Sequence, residues 1–161
     1  MVTLLKTKGG RCHHVSYYIA LELIMAHKTP LDFFRTETLD VWMQVIREGL
    51  TGRDRQAAME GMARVNVELG LGDMVGATKN VTKIEGDMRD AFSGFVPYVA
   101  DAVGFEEYLK SDELRSRFTK QTSRSLLTTL VALYPKLSDD NKELIMFSVA
   151  ELCQQLFPHL F

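Results

Sequence analysis

Cys12, His13 and His14 stand side by side in KGGRCHHVSYY, residues 8–18, and they are the side chains best suited to metal or nucleophilic chemistry. Tetrahedral zinc needs four converging ligands, commonly in pairs two to four residues apart. Adjacent residues point in different directions in a helix or a strand, so only Cys12 and His14, in extended chain, can reach one ion. A second pair would have to be Cys153 with His159, six residues apart and divided by Pro158. Cys153 falls near the apolar side of its helix, where a free cysteine behaves as a small hydrophobe. Cys12 with His27 or His159 as base spells a nucleophilic dyad, which would also require contact in space and an orienting third group. GxSxG, P-loop, GxGxxG and HExxH signatures are absent, and the GLG of residues 70–72 is too short to cradle a phosphate. The spacing therefore favours a glycine loop entering a buried helix. No cofactor is expected, and Cys12 and His14 stand as the metal candidates.

Positioning these groups falls to a chain of 161 residues, the size of one domain, with 46% hydrophobic and 25% charged residues. The net charge of −2 removes a global electrostatic case for nucleic acid. Two cysteines far apart read as free thiols in a reducing compartment. The N-terminus lacks a signal-peptide pattern. The longest apolar run, YYIALELIMA, is ten residues long and too short to span a bilayer. An intracellular, soluble protein is expected, cytoplasmic or nuclear, without membrane insertion.

Helical periodicity runs through nearly every informative stretch. A first helix over 14–27 is apolar nearly all round, as a central helix would be. Thr29 as N-cap, Pro30 and Asp32 start a short piece carrying Leu31, Phe33 and Phe34. A new helix then starts near Thr36 or Thr38, with Leu39, Trp42, Met43 and Ile46 as its stripe. Thr51 and Asp54 resemble a capping box for a helix bearing Ala58, Met62, Val65 and Leu69 on one face, and the glycines of GLGD suit its left-handed C-cap. Met74, Ala77, Val81, Ile84, Met88, Ala91 and Phe95 form a seam of about three heptads, with Glu85 and Arg89 spaced for an i, i+4 pair. Pro97 starts or kinks the next piece, carrying Tyr98, Val99 and Val103. Two short turns follow Gly104, the second capped by Ser111. Leu126, Leu127, Leu130, Val131 and Leu133 face inward on the next helix. Ser138 caps the last, with Ile145, Val149, Leu152 and Leu156 as its core face.

The expected fold is all-α, a single domain of six to eight helices. Residues 1–13 form a flexible N-terminal arm, residues 14–157 the helical domain and residues 158–161 a C-terminal tail. The packing is either a compact bundle or a short stack of hairpins like HEAT and armadillo arrays, whose repeats of about 40–47 residues would fit three or four times.

Two surface features bear on partners. Residues 110–124 hold Lys110, Arg115, Arg117, Lys120 and Arg124 against two acids. In one continuous helix Arg117, Lys120 and Arg124 would share a face able to meet phosphate, RNA or an acidic protein, extended by Lys6, Lys8 and Arg11 if the fold brings them near. No aromatic ladder accompanies them for base stacking; Phe118 stands alone. Leu160 and Phe161 either fold back on the core or dock into a partner, and the methionine-rich seam has the form of a groove-binding or self-association helix. The expected function is a non-catalytic helical module, an adaptor or accessory protein that binds another protein, with self-association as one form. Arg115, Arg117, Lys120, Arg124, Leu160 and Phe161 are its candidate contacts. The alternatives are a nucleic-acid-binding accessory protein using residues 110–124 and a small Cys/His metal protein or enzyme.

Overall fold

The structure, a computed structural model, describes residues 29–70, 74–119 and 123–161. The helix expected over 14–27, the Cys12–His14 loop, Lys6, Lys8, Arg11 and Lys120 lie outside them. The described residues are all-α, with no strand among them, and they share one apolar core.

Helix α1 (Pro30–Phe33) begins as its sequence dictates: Thr29 Oγ1 accepts from the Asp32 N–H at 3.1 Å, with Pro30 in the first turn. The α-helix expected near Thr36 or Thr38 begins at Leu39, without a side-chain cap and without a break before it. The chain passes from α1 through a π-helical turn (Phe34–Thr38) directly into α2 (Leu39–Gly49). No proline or glycine interrupts it, and the Thr36 hydroxyl, a potential cap, instead donates back to the Asp32 carbonyl at 2.9 Å. The buried stripe of α2 is Trp42, Val45 and Ile46, while Leu39 and Met43 are only partly covered.

Helix α3 (Gly52–Glu68) buries the expected face of Ala58, Met62, Val65 and Leu69. Its capping box does not form. Thr51 makes no side-chain cap bond, Gly52 enters at φ +55°, and Asp54 pairs with Lys136 at 3.0 Å instead. Gly70, at φ +65°, supplies the left-handed stop. Helix α4 (Met74–Phe92) hands over to a 3₁₀ segment (Ser93–Tyr98) that contains Pro97. Its seam through Ile84, Met88, Ala91 and Phe95 is core, so these residues are not an exposed self-association face. The side chains of Met74 and Ala77 lie outside the described set.

Short helices α5 (Ala102–Leu109) and α6 (Asp112–Arg115) follow, the second capped by Ser111, whose Oγ accepts from the Leu114 N–H at 3.2 Å. A 3₁₀ turn (Ser116–Thr119) precedes α7 (Arg124–Leu133). Leu126, Leu127, Leu130 and Leu133 are buried as expected, and Val131 is half-buried. A 3₁₀ turn (Tyr134–Lys136) leads to α8 (Asp139–Leu156), and Pro158–Leu160 makes a last turn.

Helix α8 is the central post. It packs against α1, the π turn, α2, α4 and α5, which is a bundle; in a hairpin stack each repeat touches only its neighbours. Its buried face carries the four expected residues together with Met146, Ser148 and Cys153. Helices α3 and α7 press together where Gly61 leaves no room for a side chain against Thr129.

Two carboxylates finish helix starts far away in sequence. Glu85 Oε2 of α4 accepts from the Leu31 N–H of α1 at 2.9 Å, inside the core. Glu68 of α3 accepts from the Ser125 N–H at 3.2 Å and its hydroxyl at 2.7 Å, at the start of α7. Negative groups are favoured there by unpaired N–H groups and the helix dipole. Glu85 is therefore not the i, i+4 partner of Arg89, whose Nε donates to the Leu156 carbonyl at 3.3 Å.

Candidate functional site

The Tyr134 ring stands at the junction of α7 and α8 because Pro135 ends α7 and Ser138 starts α8. The Ser138 Oγ accepts from the Asn141 N–H at 3.3 Å. From the first residue of α8, Asp139, Lys142, Glu143 and Met146 recur at i, i+3, i+4, i+7 and share a face. Opposite them lies α5, started by Asp101, whose Oδ1 accepts from the Gly104 N–H at 3.1 Å. Spacing on α5 sets Ala102, Val103 and Glu106 toward the same side. Between the two helices is a cleft of about 390 Å³.

The lining separates into two parts. Ala100, Ala102, Val103 and Met146 are apolar, and Tyr134 adds its ring. Glu106, Asp139 and Glu143 supply three carboxylates against one ammonium, Lys142. Val103, which the sequence places on the piece after Pro97, is 68% exposed and opens the cleft to solvent. The reason is register. Phe105, Tyr108 and Leu109 take the buried face of α5, which turns Val103 outward.

An aromatic chain fixes this wall to the core. Phe95 packs 5.3 Å from Phe105, and Phe105 packs 5.3 Å from Tyr134. Phe95 also meets Tyr108 edge-on at 4.8 Å, while Tyr98 stacks on Tyr108 at 5.4 Å. Such pairs contribute about 0.5–1.5 kcal/mol each beyond their buried area. Within the cleft, Lys142 Nζ lies 3.2 Å from Glu106 Oε1 and 5.5 Å from the centre of the Tyr134 ring. The Tyr134 phenol is pushed above its ordinary value by burial first, then by the carboxylates of Glu106 and Asp139.

The basic run expected on one helix is broken. Among the described residues Lys110 follows α5, Arg115 ends α6, Arg117 lies in the 3₁₀ turn and Arg124 opens α7. Arg115 pairs with Asp112 at 3.6 Å. Arg117 is half-buried: its Nη1 donates to the Asp90 carbonyl, and its guanidinium acts on the Tyr108 phenol, partly opposing the upward push of burial. Arg124 is exposed at the start of α7. Leu160 and Phe161 are each 55% exposed, pointing outward rather than folding back.

Cys153 is fully buried, its thiol pushed up to about 12 by burial, with Sγ 3.9 Å from the Phe92 carbonyl. His159 is exposed, so the Cys153–His159 ligand pair does not assemble. Among the described residues no three His, Cys, Asp or Glu side chains group to hold a metal. Cys12 and His14 lie outside those residues. No helix among the described residues is long and apolar enough to cross a membrane.

A second groove, of about 160 Å³, runs along α3 and α7 past Ala57, Ala58, Thr128 and Ala132, and at its rim Asp54 and Lys136 satisfy each other. The α5–α8 cleft was missed by sequence reasoning, although the Asp139, Lys142, Glu143, Met146 spacing and the off-register Val103 both mark it. Comparison with protein-family models, with curated proteins and with solved structures finds no match for this chain.

Proposed function

We propose that this chain is a non-catalytic helical interaction module, an adaptor or accessory protein that binds another protein. The observation that carries the proposal is the α5–α8 cleft: buried Tyr134 and Met146, exposed Ala100, Ala102 and Val103, and three carboxylates on its lining, held by packed aromatics. Interfaces draw on such a combination, with apolar anchors at the centre and charges around them for orientation. Leu160, Phe161, Leu144 and Phe147 add exposed apolar contacts elsewhere. The nucleic-acid alternative would need its cations on one continuous helix face, whereas Arg115, Arg117 and Arg124 lie on three separate elements and Arg117 donates to the Asp90 carbonyl.

The test is photocrosslinking in extract of the source cells, with and without nuclease. Benzoylphenylalanine is placed at Val103 in one sample and at the exposed Gln56 of α3 in another. A discrete crosslinked protein is expected from position 103 alone, unchanged by nuclease. No discrete product at 103, or one that nuclease removes, would contradict the proposal.

A further inference from the structure

We propose that the α5–α8 cleft binds a peptide segment presenting a lysine or arginine beside an apolar side chain, and that Lys142 holds the cation seat until that segment displaces it. The inference rests on the interaction-module reading and names the partner's chemistry. The seat is built from the Glu106 carboxylate and the face of Tyr134, with Lys142 Nζ 3.2 Å from the first and 5.5 Å from the centre of the second. A cation within about 6 Å of a ring centre is attracted to its face, so carboxylate and ring select the same charge. Lys142 leaves the cleft under-neutralised, because Asp139 and Glu143 are further carboxylates on its lining. The surplus charge attracts a basic segment and repels an acidic one.

Lys142 is suited to be displaced. Its charge rides on a flexible four-carbon stem, and the side chains of the pair keep 23% and 36% of their exposure. Part-exposed ion pairs are weak, so an incoming guanidinium can replace the ammonium while Lys142 moves into water. Val103 then receives the neighbouring apolar side chain. Without that apolar contact the seat would offer little beyond an ordinary surface ion pair.

The probe is a phage-displayed library of linear twelve-residue peptides, panned on the full chain, with enriched peptides synthesised and titrated individually. Enriched sequences should pair Lys or Arg with an adjacent apolar residue. Their affinity should fall about tenfold or more in Glu106→Gln/Glu143→Gln and in Val103→Asp, rise about threefold or more in Lys142→Met, and weaken with salt. Val103 is solvent-facing, and the Glu→Gln changes keep volume, so thermal unfolding serves as the check on folding. Enriched peptides lacking a basic residue, or bound equally by wild type and these variants, would overturn the cleft inference while leaving a binding module. No enriched sequence would overturn it as well, with crosslinking at position 103 still deciding the broader reading.

Discussion

Glu106 on α5 and Lys142 on α8 meet at 3.2 Å across a cleft, with Lys142 also over the Tyr134 ring. The pair sits on the two helices that form the walls, yet its part-exposed geometry gives it little weight in holding them together. A double-mutant cycle with Glu106→Gln and Lys142→Met should give a coupling energy below about 1 kcal/mol at 0.15 M salt, read by urea unfolding. A coupling of about 3 kcal/mol would make the pair a structural clamp and remove Lys142 as a displaceable occupant.

Glu85 is a different kind of charge. Its carboxylate accepts the Leu31 N–H inside the core, so Glu85→Ala leaves a buried donor without its partner and should cost about 1–3 kcal/mol. Glu85→Gln keeps a carbonyl acceptor of the same length and should recover most of that loss. Equal destabilisation by alanine and glutamine in urea titrations would show that the bond is not what stabilises.

Gly94 lies under Tyr108, and a Cβ there would collide with the phenol oxygen and come within 2.5 Å of Cζ. Gly94→Ala should therefore destabilise by about 1–3 kcal/mol through overpacking. Adding Tyr108→Phe removes the nearest atom and should return part of the loss, making the two changes non-additive. Additive effects would place the cost elsewhere in the 3₁₀ segment.

Cys153 gives the chain an alkaline limit. Its folded thiol is pushed from 9.0 to about 12 by burial. From pH 9 upward the unfolded thiol ionises while the folded one keeps its proton. The unfolded state then binds fewer protons, and stability falls as pH rises toward 12. The slope contributed is at most about 1.4 kcal/mol per pH unit. In a Cys12→Ser background, unfolding measured from pH 8 to 10.5 should lose stability less steeply for Cys153→Ala than for Cys153. Identical slopes would mean that the thiol ionises without unfolding.

What the sequence made legible was local. The caps at Thr29, Ser111 and Ser138, the stop at Gly70 and the apolar faces of α3, α7 and α8 all follow from neighbours within a turn. Two of the misreadings involve partners that sequence distance hides. Glu85 had an arginine four residues away but capped α1, 54 residues earlier. Arg117 belonged by spacing to a basic face but donates to the Asp90 carbonyl. The continuous turn through Thr36 and Thr38 was hidden because a threonine that caps and one that bonds back to its own helix look alike in sequence. The cleft depends on two helices separated by 36 residues at the Glu106–Lys142 pair, and only half of it, the α8 spacing, was written in one place.

The most direct test of the cleft as the binding surface is amide hydrogen exchange of the full chain, with and without a saturating peptide from the panning. Slowed exchange is expected in α5 and in the first two turns of α8, Asp139 through Met146, with no change along α3. Protection confined to the α3–α7 groove, or to the Pro158–Leu160 turn, would contradict the assignment and move the interaction surface there.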